Sequence, residues 1–366
     1  MHYRGGAIST EFILSNADLA SAATQWRGAI GVDTEFIRTD TYFPIPGLYQ
    51  VCCGSSVHLI DPLSIDDWGP FQDALIDPDI VKVMHACSED LELMSHHLDL
   101  TPVGIWDTQV ARAFLDDNFS VSYAGLVEAE LSISLGKHET RSDWLARPLS
   151  AQQVKYAAED VIHLVNIFER QTRALQKHGR LAWFEEDMAE RATYDPVAPV
   201  DYYRNVKKAW RLNGNQLSVL KALCAWREQE ARRSDVPRRR VVWDEHLYHF
   251  ATVRELNTSE VEATVPRSVA RRHAATLVDV HNRALRSPAV EQLERPLTPS
   301  QGGLMRQLRE RARLVAAREG IAVELLARKK DVEECVRCHI STGELSARYL
   351  GWRHDLVGPA FKEVLA

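Results

Sequence analysis

The chain has 366 residues, of which 45% are hydrophobic and 26% are charged, and this composition is typical of a soluble globular protein with two or three domains. A run of about 18 uninterrupted apolar residues is absent, which argues against a membrane span. The N-terminus lacks the basic start and long apolar run of a signal peptide, so we expect a cytoplasmic protein whose six cysteines are free thiols.

The net charge of −7 conceals an asymmetry between the two halves of the chain. Residues 1–200 contain 14 basic and 30 acidic residues, whereas residues 201–366 contain 30 and 21, so their net charges are −16 and +9. An acidic front and a basic back suggest a metal-dependent site joined to a polyanion-binding region. The alternative is that the arginine-rich helix faces are simply solvated.

The pattern of the first 131 residues predicts a mixed α/β sheet. A strand hairpin is followed by alternating strands and helices, which is the pattern of such a sheet. In chain order we predict a helix from Ser15 to about Trp26, a buried strand from Ala29, strands over 48–53 and 57–60 joined by Gly54-Ser55, a helix over 68–75, a strand over 81–84, a helix from near Ser88, a helix opened by Asp107 as N-cap, and a helix over 123–131.

The first buried strand carries two carboxylates, Asp33 and Glu35, two positions apart. Period-two alternation points both side chains to the same face of the sheet. Two acids on one face repel each other and resist desolvation unless a cation compensates them. The alternative is a strand end that runs into solvent.

A third carboxylate, Asp90, falls in the first turn of the helix from Ser88, where the helix dipole favours an ionised acid. Capping alone would also explain it. Ser150 and Gln153 form a capping box before an apolar pattern that predicts one helix through Phe168.

Within that helix, Tyr156 and Asp160 are four residues apart and therefore share a face, whereas Glu159 is expected to face solvent. The first domain thus offers four carboxylates on separate elements together with one tyrosine. Such a set can hold two hard divalent cations, which can stabilise the attacking and leaving oxygens of a phosphodiester displacement. A phenol one turn away can orient the attacking water.

The order of the strings DTEF, HACSEDLELM and SDWLARPLSAQQVKYAAED resembles the DEDD superfamily of 3′→5′ exonucleases, in its tyrosine variant, and more narrowly the ribonuclease D family. The histidine variant would need His where this chain has Lys155. The resemblance implies a ribonuclease H-like mixed-sheet domain with two Mg²⁺ or Mn²⁺ ions. It implies that Asp33, Glu35 and Asp160 bind the ion nearer the nucleophile, that Asp33 and Asp90 hold the second, and that Tyr156 positions water.

Five further residues near these strings are candidates for substrate contact: Phe36, Gln50, His85, Lys137 and Arg147. Packing and strand pairing are the alternatives for Phe36 and Gln50. Arg147 could contact phosphate or form an ion pair with Asp143.

The chain becomes helical and basic after a proline-rich linker at 195–199. Residues 206–286 resemble an HRDC domain, a small helical bundle, with Leu217, Leu220, Leu223 and Trp226 as its expected core stripe. Arg238, Arg239 and Arg240 suit sequence-independent phosphate contact, with a solvated helix face as the alternative.

A second linker precedes residues 300–366, which resemble a more diverged HRDC copy. We therefore predict a mixed-sheet α/β exonuclease domain over 1–195 followed by two all-α HRDC-type domains. The string Cys335-Val336-Arg337-Cys338-His339 matches the C-x-x-C-H motif of covalent haem attachment. Because the sequence has no export signal, we interpret the match as coincidental and expect no haem.

The function that these resemblances imply is 3′→5′ exoribonuclease action on structured RNA such as tRNA precursors, with release of nucleoside 5′-monophosphates. One alternative is a DNA exonuclease of the same superfamily, whose chemistry is identical. The other is a non-catalytic nucleic-acid-binding protein, against which the complete set of motif residues argues.

Overall fold

The computed structural model describes residues 2–3, 6–136 and 142–366, so Lys137 lies outside the described residues. The chain forms two compact units. One contains Met1–Ile37, Pro46–Tyr194 and Leu297–Ala366, and the other contains Arg38–Ile45 and Asp195–Pro296. Each unit combines segments that are not contiguous in sequence. The domain boundaries predicted from the sequence stay a prediction.

A six-stranded sheet in the order β3-β6-β5-β4-β7-β8 forms the centre of the first unit. Its strands pair in both directions, because β5 and β6 are antiparallel while β3–β6, β4–β7 and β7–β8 are parallel. The predicted mixed α/β sheet is therefore confirmed. The strands are β1 (His2–Tyr3), β2 (Gly6–Ala7), β3 (Ser9–Ile13), β4 (Ala29–Ile37), β5 (Ile45–Cys53), β6 (Ser56–Ile60), β7 (Val81–Met84) and β8 (Ile105–Asp107).

Among the described residues, eight helices precede the linker at 195–199 and pack around the sheet. They are α1 (Asn16–Ala23), α2 (Gly69–Ile76), α3 (Ser88–His97), α4 (Thr108–Ala113), α5 (Tyr123–Leu131), α6 (Ala151–Ile162), α7 (Leu164–Lys177) and α8 (Leu181–Arg191). The predicted cap of Asp107 and the capping box of Ser150 with Gln153 are both present. These polar caps satisfy backbone N–H groups that the first helical turn leaves free.

The single helix predicted through Phe168 is wrong, because the structure breaks it at His163 between α6 and α7. The break lies where the helix crosses Gly31 of β4. A Cβ atom added at Gly31 would lie 2.7 Å from the carbonyl oxygen of Val161 and 3.2 Å from the Cβ of Leu164. The missing side chain therefore lets the helix pair lie directly on the strand that carries Asp33 and Glu35.

The second unit is a helical bundle around α9. Its helices are α9 (Gly214–Arg233), α10 (Arg238–Val241), α11 (Asp244–Thr252), α12 (Thr258–Thr264) and α13 (Arg267–Ala284), with 3₁₀ turns at Pro199–Asn205 and Ala209–Arg211. Leu217, Leu220 and Leu223 are fully buried, as the core stripe predicted, while Trp226 is only partly buried.

The last helices belong to the first unit. They are α14 (Pro299–Glu319), α15 (Glu324–Ala327), α16 (Lys329–Thr342) and α17 (Trp352–Leu365). Trp352 stacks on Trp183 of α8 with ring centroids 5.2 Å apart, and the backbone N–H of Ala322 donates to the carbonyl of Ala113 over 2.8 Å. These contacts join residues 297–366 to the sheet domain, and their relation to an HRDC domain stays a prediction.

None of the helices in the described ranges is both long enough and apolar enough to cross a lipid bilayer.

Candidate active site

Strand β4 and helix α6 bring three carboxylates together. Asp33 and Glu35 lie two residues apart on β4, and Asp160 lies on α6, which packs against that strand. Carboxylate oxygens of these three residues all lie within 4.8 Å of one another. The alternation of the strand and the close approach at Gly31 together produce this convergence.

Asp90 approaches the same group from the first turn of α3. Its side chain is buried, and the hydroxyl of Thr34 donates a hydrogen bond to it. Asp107 holds the start of α3 in place, because its carboxylate accepts from the backbone N–H groups of Ala86 and Cys87 over 3.1 and 3.0 Å. One aspartate therefore caps α4 and also fixes the turn that presents Asp90.

Burial and mutual repulsion disfavour the ionised form of these carboxyl groups when no cation is bound. Burial chiefly, then the charges of Asp90, Asp160 and Glu35, raise the pKa of Asp33 well above its usual value. Burial and the charges of Asp160 and Asp90 raise the pKa of Glu35 to about 8. Such a site favours protonation or a bound cation.

The pKa values of Asp160 and Asp90 are also raised. Burial raises the pKa of Asp160 to about 7, although the hydrogen bond from Tyr156 opposes the shift. Burial likewise raises the pKa of Asp90 to about 6, against the hydrogen bond from Thr34. An all-oxygen, acidic donor set of this kind fits a hard divalent cation such as Mg²⁺ or Mn²⁺.

Tyr156 lies one helical turn before Asp160, as the spacing predicted, and its hydroxyl donates to that carboxylate. Burial, followed by the charges of Asp160, Glu35 and Asp33, raises the pKa of the phenol above its usual value. The phenol therefore stays neutral at physiological pH and keeps a proton to donate. Glu159, expected to face solvent, is buried instead and lies 3.7 Å from Lys155.

Arg147 is not arranged as a phosphate contact. Its Nε and Nη2 donate to the two carboxylate oxygens of Asp61, each over 2.6 Å, and Nη2 also donates to the carbonyl of Gly47 over 2.8 Å. Its Nη1 donates to the carbonyls of Trp144 and Ala146, each over 2.9 Å. These bonds use all five N–H groups of the guanidinium. The ion pair expected with Asp143 is therefore wrong, since Asp61 takes its place.

The other candidate contacts of this domain point into the protein. His85 is engaged at both ring nitrogens, by the hydroxyl of Thr108 at 2.9 Å and the carbonyl of Val121 at 3.1 Å. Gln50 is fully buried and pairs with Leu59 across β5 and β6. Phe36 is partly buried against the core. Both amide atoms of Gln50 are buried without a hydrogen-bond partner among the described residues. Substrate contact by Phe36, Gln50 and His85 stays a prediction.

The three consecutive arginines of the second unit differ in their partners. Arg238 donates to Glu228 over 2.6 Å and to the hydroxyl of Tyr42 over 2.8 Å, and Arg240 forms an ion pair with Asp40. Arg239 instead lies over the exposed indole of Trp243, 5.5 Å from the ring centroid. Of the three, Arg239 has no carboxylate partner within the part of the chain that the structure describes.

Comparisons with known proteins agree with this architecture. A family model described as 3′-5′ exonuclease matches residues 7–176, and one described as HRDC domain matches residues 216–280. The ribonuclease D of Pseudomonas paraeruginosa is 40% identical over 98% of this chain and 98% of its own length. The ribonuclease D of Escherichia coli is 33% identical over 98% of this chain and 99% of its own.

A solved structure shows the same likeness in three dimensions. The crystal structure of Escherichia coli ribonuclease D, described as an exoribonuclease involved in structured RNA processing, superimposes with a TM-score of 0.90 at 33% identity. The match covers 98% of this chain and 99% of that one. A full-length match at this level, together with both family models, establishes that the chain belongs to the ribonuclease D family of hydrolytic 3′→5′ exoribonucleases.

Proposed function

We propose that this exoribonuclease trims the 3′ ends of structured RNAs such as tRNA precursors and releases nucleoside 5′-monophosphates at the carboxylate cluster of β4, α3 and α6. The observation that carries the proposal is the convergence of Asp33, Glu35 and Asp160 within 4.8 Å, with buried Asp90 beside them. The involvement of the Escherichia coli relative in structured RNA processing supports the choice of substrate.

The cluster would hold two divalent cations. Asp33, Glu35 and Asp160 would bind one ion, and Asp33 and Asp90 would hold the other. When bound, such ions stabilise the attacking and leaving oxygens of a phosphodiester displacement. The chain itself supplies fixed ligands, because β4, α3 and α6 are each anchored in the core of the first unit. It also excludes bulk water from Asp90, which is buried.

Tyr156 would orient the attacking water molecule. Its neutral hydroxyl already donates to Asp160, so the phenol oxygen stays available as an acceptor beside the cluster. A water molecule that donates to this oxygen would be held at a fixed place relative to the carboxylates. Holding a reactant in this way lowers the barrier by avoiding its reorganisation in the transition state.

The second unit would contribute RNA affinity through Arg239 and Trp243. An exposed indole with a guanidinium over its ring offers a stacking face and a phosphate donor. Arg238 pairs with the buried Glu228, so we assign it a structural role. Arg240 pairs with an exposed Asp40, and its phosphate contact stays a prediction.

A substrate comparison tests this proposal against the DNA alternative. Purified protein with Mn²⁺ or Mg²⁺ is incubated with a 3′-extended tRNA, a single-stranded RNA of the extension sequence and a DNA of the same sequence. We expect stepwise shortening of both RNAs from the 3′ end, nucleoside 5′-monophosphates as products, and slower cleavage of DNA. Faster cleavage of the DNA than of both RNAs would favour the DNA exonuclease.

A further inference from the structure

Arg147 fixes the segment Trp144–Pro148 to the sheet. This segment precedes helix α6. The guanidinium joins Asp61, which follows β6, to the carbonyl of Gly47 in β5 and to two carbonyls of its own segment. Asp61 is buried and the side chain of Arg147 is 25% exposed, so the pair is partly shielded from water, and its bidentate geometry makes it a strong contact. We call Arg147, Asp61 and Gly47 the latch.

Gly47 sets how closely the segment approaches β5. A Cβ atom added there would lie 2.5 Å from the Cβ of Trp144, 2.9 Å from its carbonyl oxygen and 3.2 Å from the carbonyl oxygen of Glu35. Two of these three neighbours are backbone atoms, so they cannot move aside by a rotamer change. A side chain at Gly47 would therefore push the segment away from the strand pair that carries Glu35.

The latch leads to Tyr156 through Trp144. The indole of Trp144 is buried and packs beside the phenol ring, with ring centroids 6.1 Å apart at an angle of 40°. The side chain of Gln153 donates to the carbonyl of Asp143 over 3.1 Å and so ties the segment to the first turn of α6. A cavity of about 240 Å³ is lined by both Trp144 and Tyr156.

This cavity explains why Tyr156 needs support. A side chain beside open space has room for other rotamers, and a shift of about 1 Å at a catalytic group can cost about 10²-fold in rate. The buried indole of Trp144 lines that space beside Tyr156, and the hydrogen bonds of Arg147 fix the segment that carries it.

We propose that Arg147 and Gly47 are positioning residues of the exonuclease reaction. They hold Trp144 against Tyr156 and so fix the phenol hydroxyl beside Asp160, without touching RNA themselves. This inference rests on the proposed role of Tyr156 in orienting water. It replaces the phosphate contact predicted for Arg147 with an action through two neighbouring side chains.

The test is a double-mutant cycle between the latch and the phenol. The variants are Gly47→Ala, Arg147→Lys and Tyr156→Phe, and each latch variant combined with Tyr156→Phe. Arg147→Lys keeps the charge but cannot form the bidentate pair with Asp61. Arg173→Lys, an exposed arginine of α7, is the matched control. Steady-state kinetics on a short single-stranded RNA, Mn²⁺ titration by calorimetry and thermal unfolding are measured for each protein.

We expect each latch variant to lower kcat by about 10- to 10²-fold, with KM and Mn²⁺ affinity close to wild type. In the Tyr156→Phe background the same change should lower kcat by less than about 3-fold, because the hydroxyl that the latch positions is already absent. Arg173→Lys should match wild type. If the methyl group of Gly47→Ala prevents folding, the Arg147→Lys arm carries the comparison alone.

Three results would overturn the inference. A raised KM with unchanged kcat for Arg147→Lys would mean that Arg147 binds RNA directly. If the fold-loss in kcat caused by a latch variant were the same with and without Tyr156→Phe, the latch would act on another part of the site. Wild-type kcat in both latch variants would mean that the segment does not position Tyr156. A different result, wild-type kcat for Tyr156→Phe alone, would refute the proposed role of the tyrosine itself.

Discussion

Replacing Asp187 with Asn should destabilise the first unit strongly. The carboxylate of Asp187 is fully buried in α8 and contacts three arginines, Arg191 of the same helix and Arg348 and Arg353 of the C-terminal segment. Arg353 is only 1% exposed, and Asp187 is its one carboxylate partner within the described ranges. The substitution keeps the shape of the side chain but leaves this guanidinium buried without its counter-charge.

The magnitude follows from the burial of the partners. Removing one member of a buried ion pair costs about 3–5 kcal/mol, because the remaining charge stays desolvated. Arg348 keeps Glu190 and Asp331 as partners and so limits the loss, whereas Arg353 keeps the carbonyl of Leu325 and the ring of Trp352 but no carboxylate among the described residues. We therefore expect Asp187→Asn to lower the free energy of unfolding by about 3–5 kcal/mol.

Urea unfolding at pH 7 measures this loss, with the far-ultraviolet signal and activity followed together because the chain has two units. The control is Glu310→Gln, which removes an exposed partner of Arg313 on α14 and should leave the free energy of unfolding almost unchanged, because solvent screens exposed ion pairs. A loss for Asp187→Asn no larger than that of Glu310→Gln would refute the reasoning. A chain ending near Asp195 should be unstable for the same reason, since it lacks Arg348 and Arg353.

Four further predictions concern catalysis, stability and binding. Tyr156→Phe should lower kcat by about 10²-fold while Mn²⁺ affinity in calorimetry stays unchanged, and loss of metal affinity would mean that the phenol is a ligand. In the metal-free fold the pKa of Glu35 is raised to about 8 and that of Asp160 to about 7. Between about pH 5 and pH 8 the folded chain therefore holds protons that the unfolded chain has released. The stability of the metal-free fold should fall as pH rises through this range. The increase in Tm on adding Mn²⁺ should therefore be larger at pH 8 than at pH 5.5, and equal increases would contradict the assignment. Arg239→Ala should weaken tRNA binding and flatten its salt dependence by about one phosphate contact, whereas an unchanged salt slope would exclude this contact. Arg238→Ala should chiefly lower stability, as measured by Tm, because the buried Glu228 then loses one of its two arginine partners and keeps an ion pair with Arg227 alone among the described residues.

Local patterns were sufficient to predict most of the carboxylate cluster. Strand alternation put Asp33 and Glu35 on one face, and the four-residue helical spacing put Tyr156 above Asp160. The first-turn position of Asp90 also agrees with the structure. In each case the relevant geometry repeats over two to four residues, so the sequence contains it directly.

Long-range partners were beyond such reasoning. Arg147 meets Asp61, which lies 86 residues away, and local spacing favoured Asp143 instead. Glu159 was expected in solvent because helical period alone does not say which neighbouring elements cover a face. A similar limit applies to Thr34, whose hydrogen bond to Asp90 joins β4 to α3. The one available signal for Thr34 was its place between the two acids of the DTE string.

The C-terminal segment shows the same limit at the scale of a unit. Its sequence resembles a separate helical domain, yet Trp352 stacks on Trp183 and Arg353 neutralises Asp187, both in α8. Each of these residues is ordinary in its own helix. Their partners lie more than 150 residues away, so only the folded structure identifies them.

The most direct test of the carboxylate cluster is single-turnover hydrolysis of a 3′-extended tRNA by Asp33→Asn and Asp160→Asn, with Glu89→Gln as control. Glu89 is an exposed acid in the first turn of α3, next to Asp90. We predict that both aspartate variants fold, lose affinity for Mn²⁺ in calorimetry and release no nucleoside 5′-monophosphate, while Glu89→Gln matches wild type. Wild-type release of mononucleotides by either aspartate variant with saturating Mn²⁺ would contradict the account.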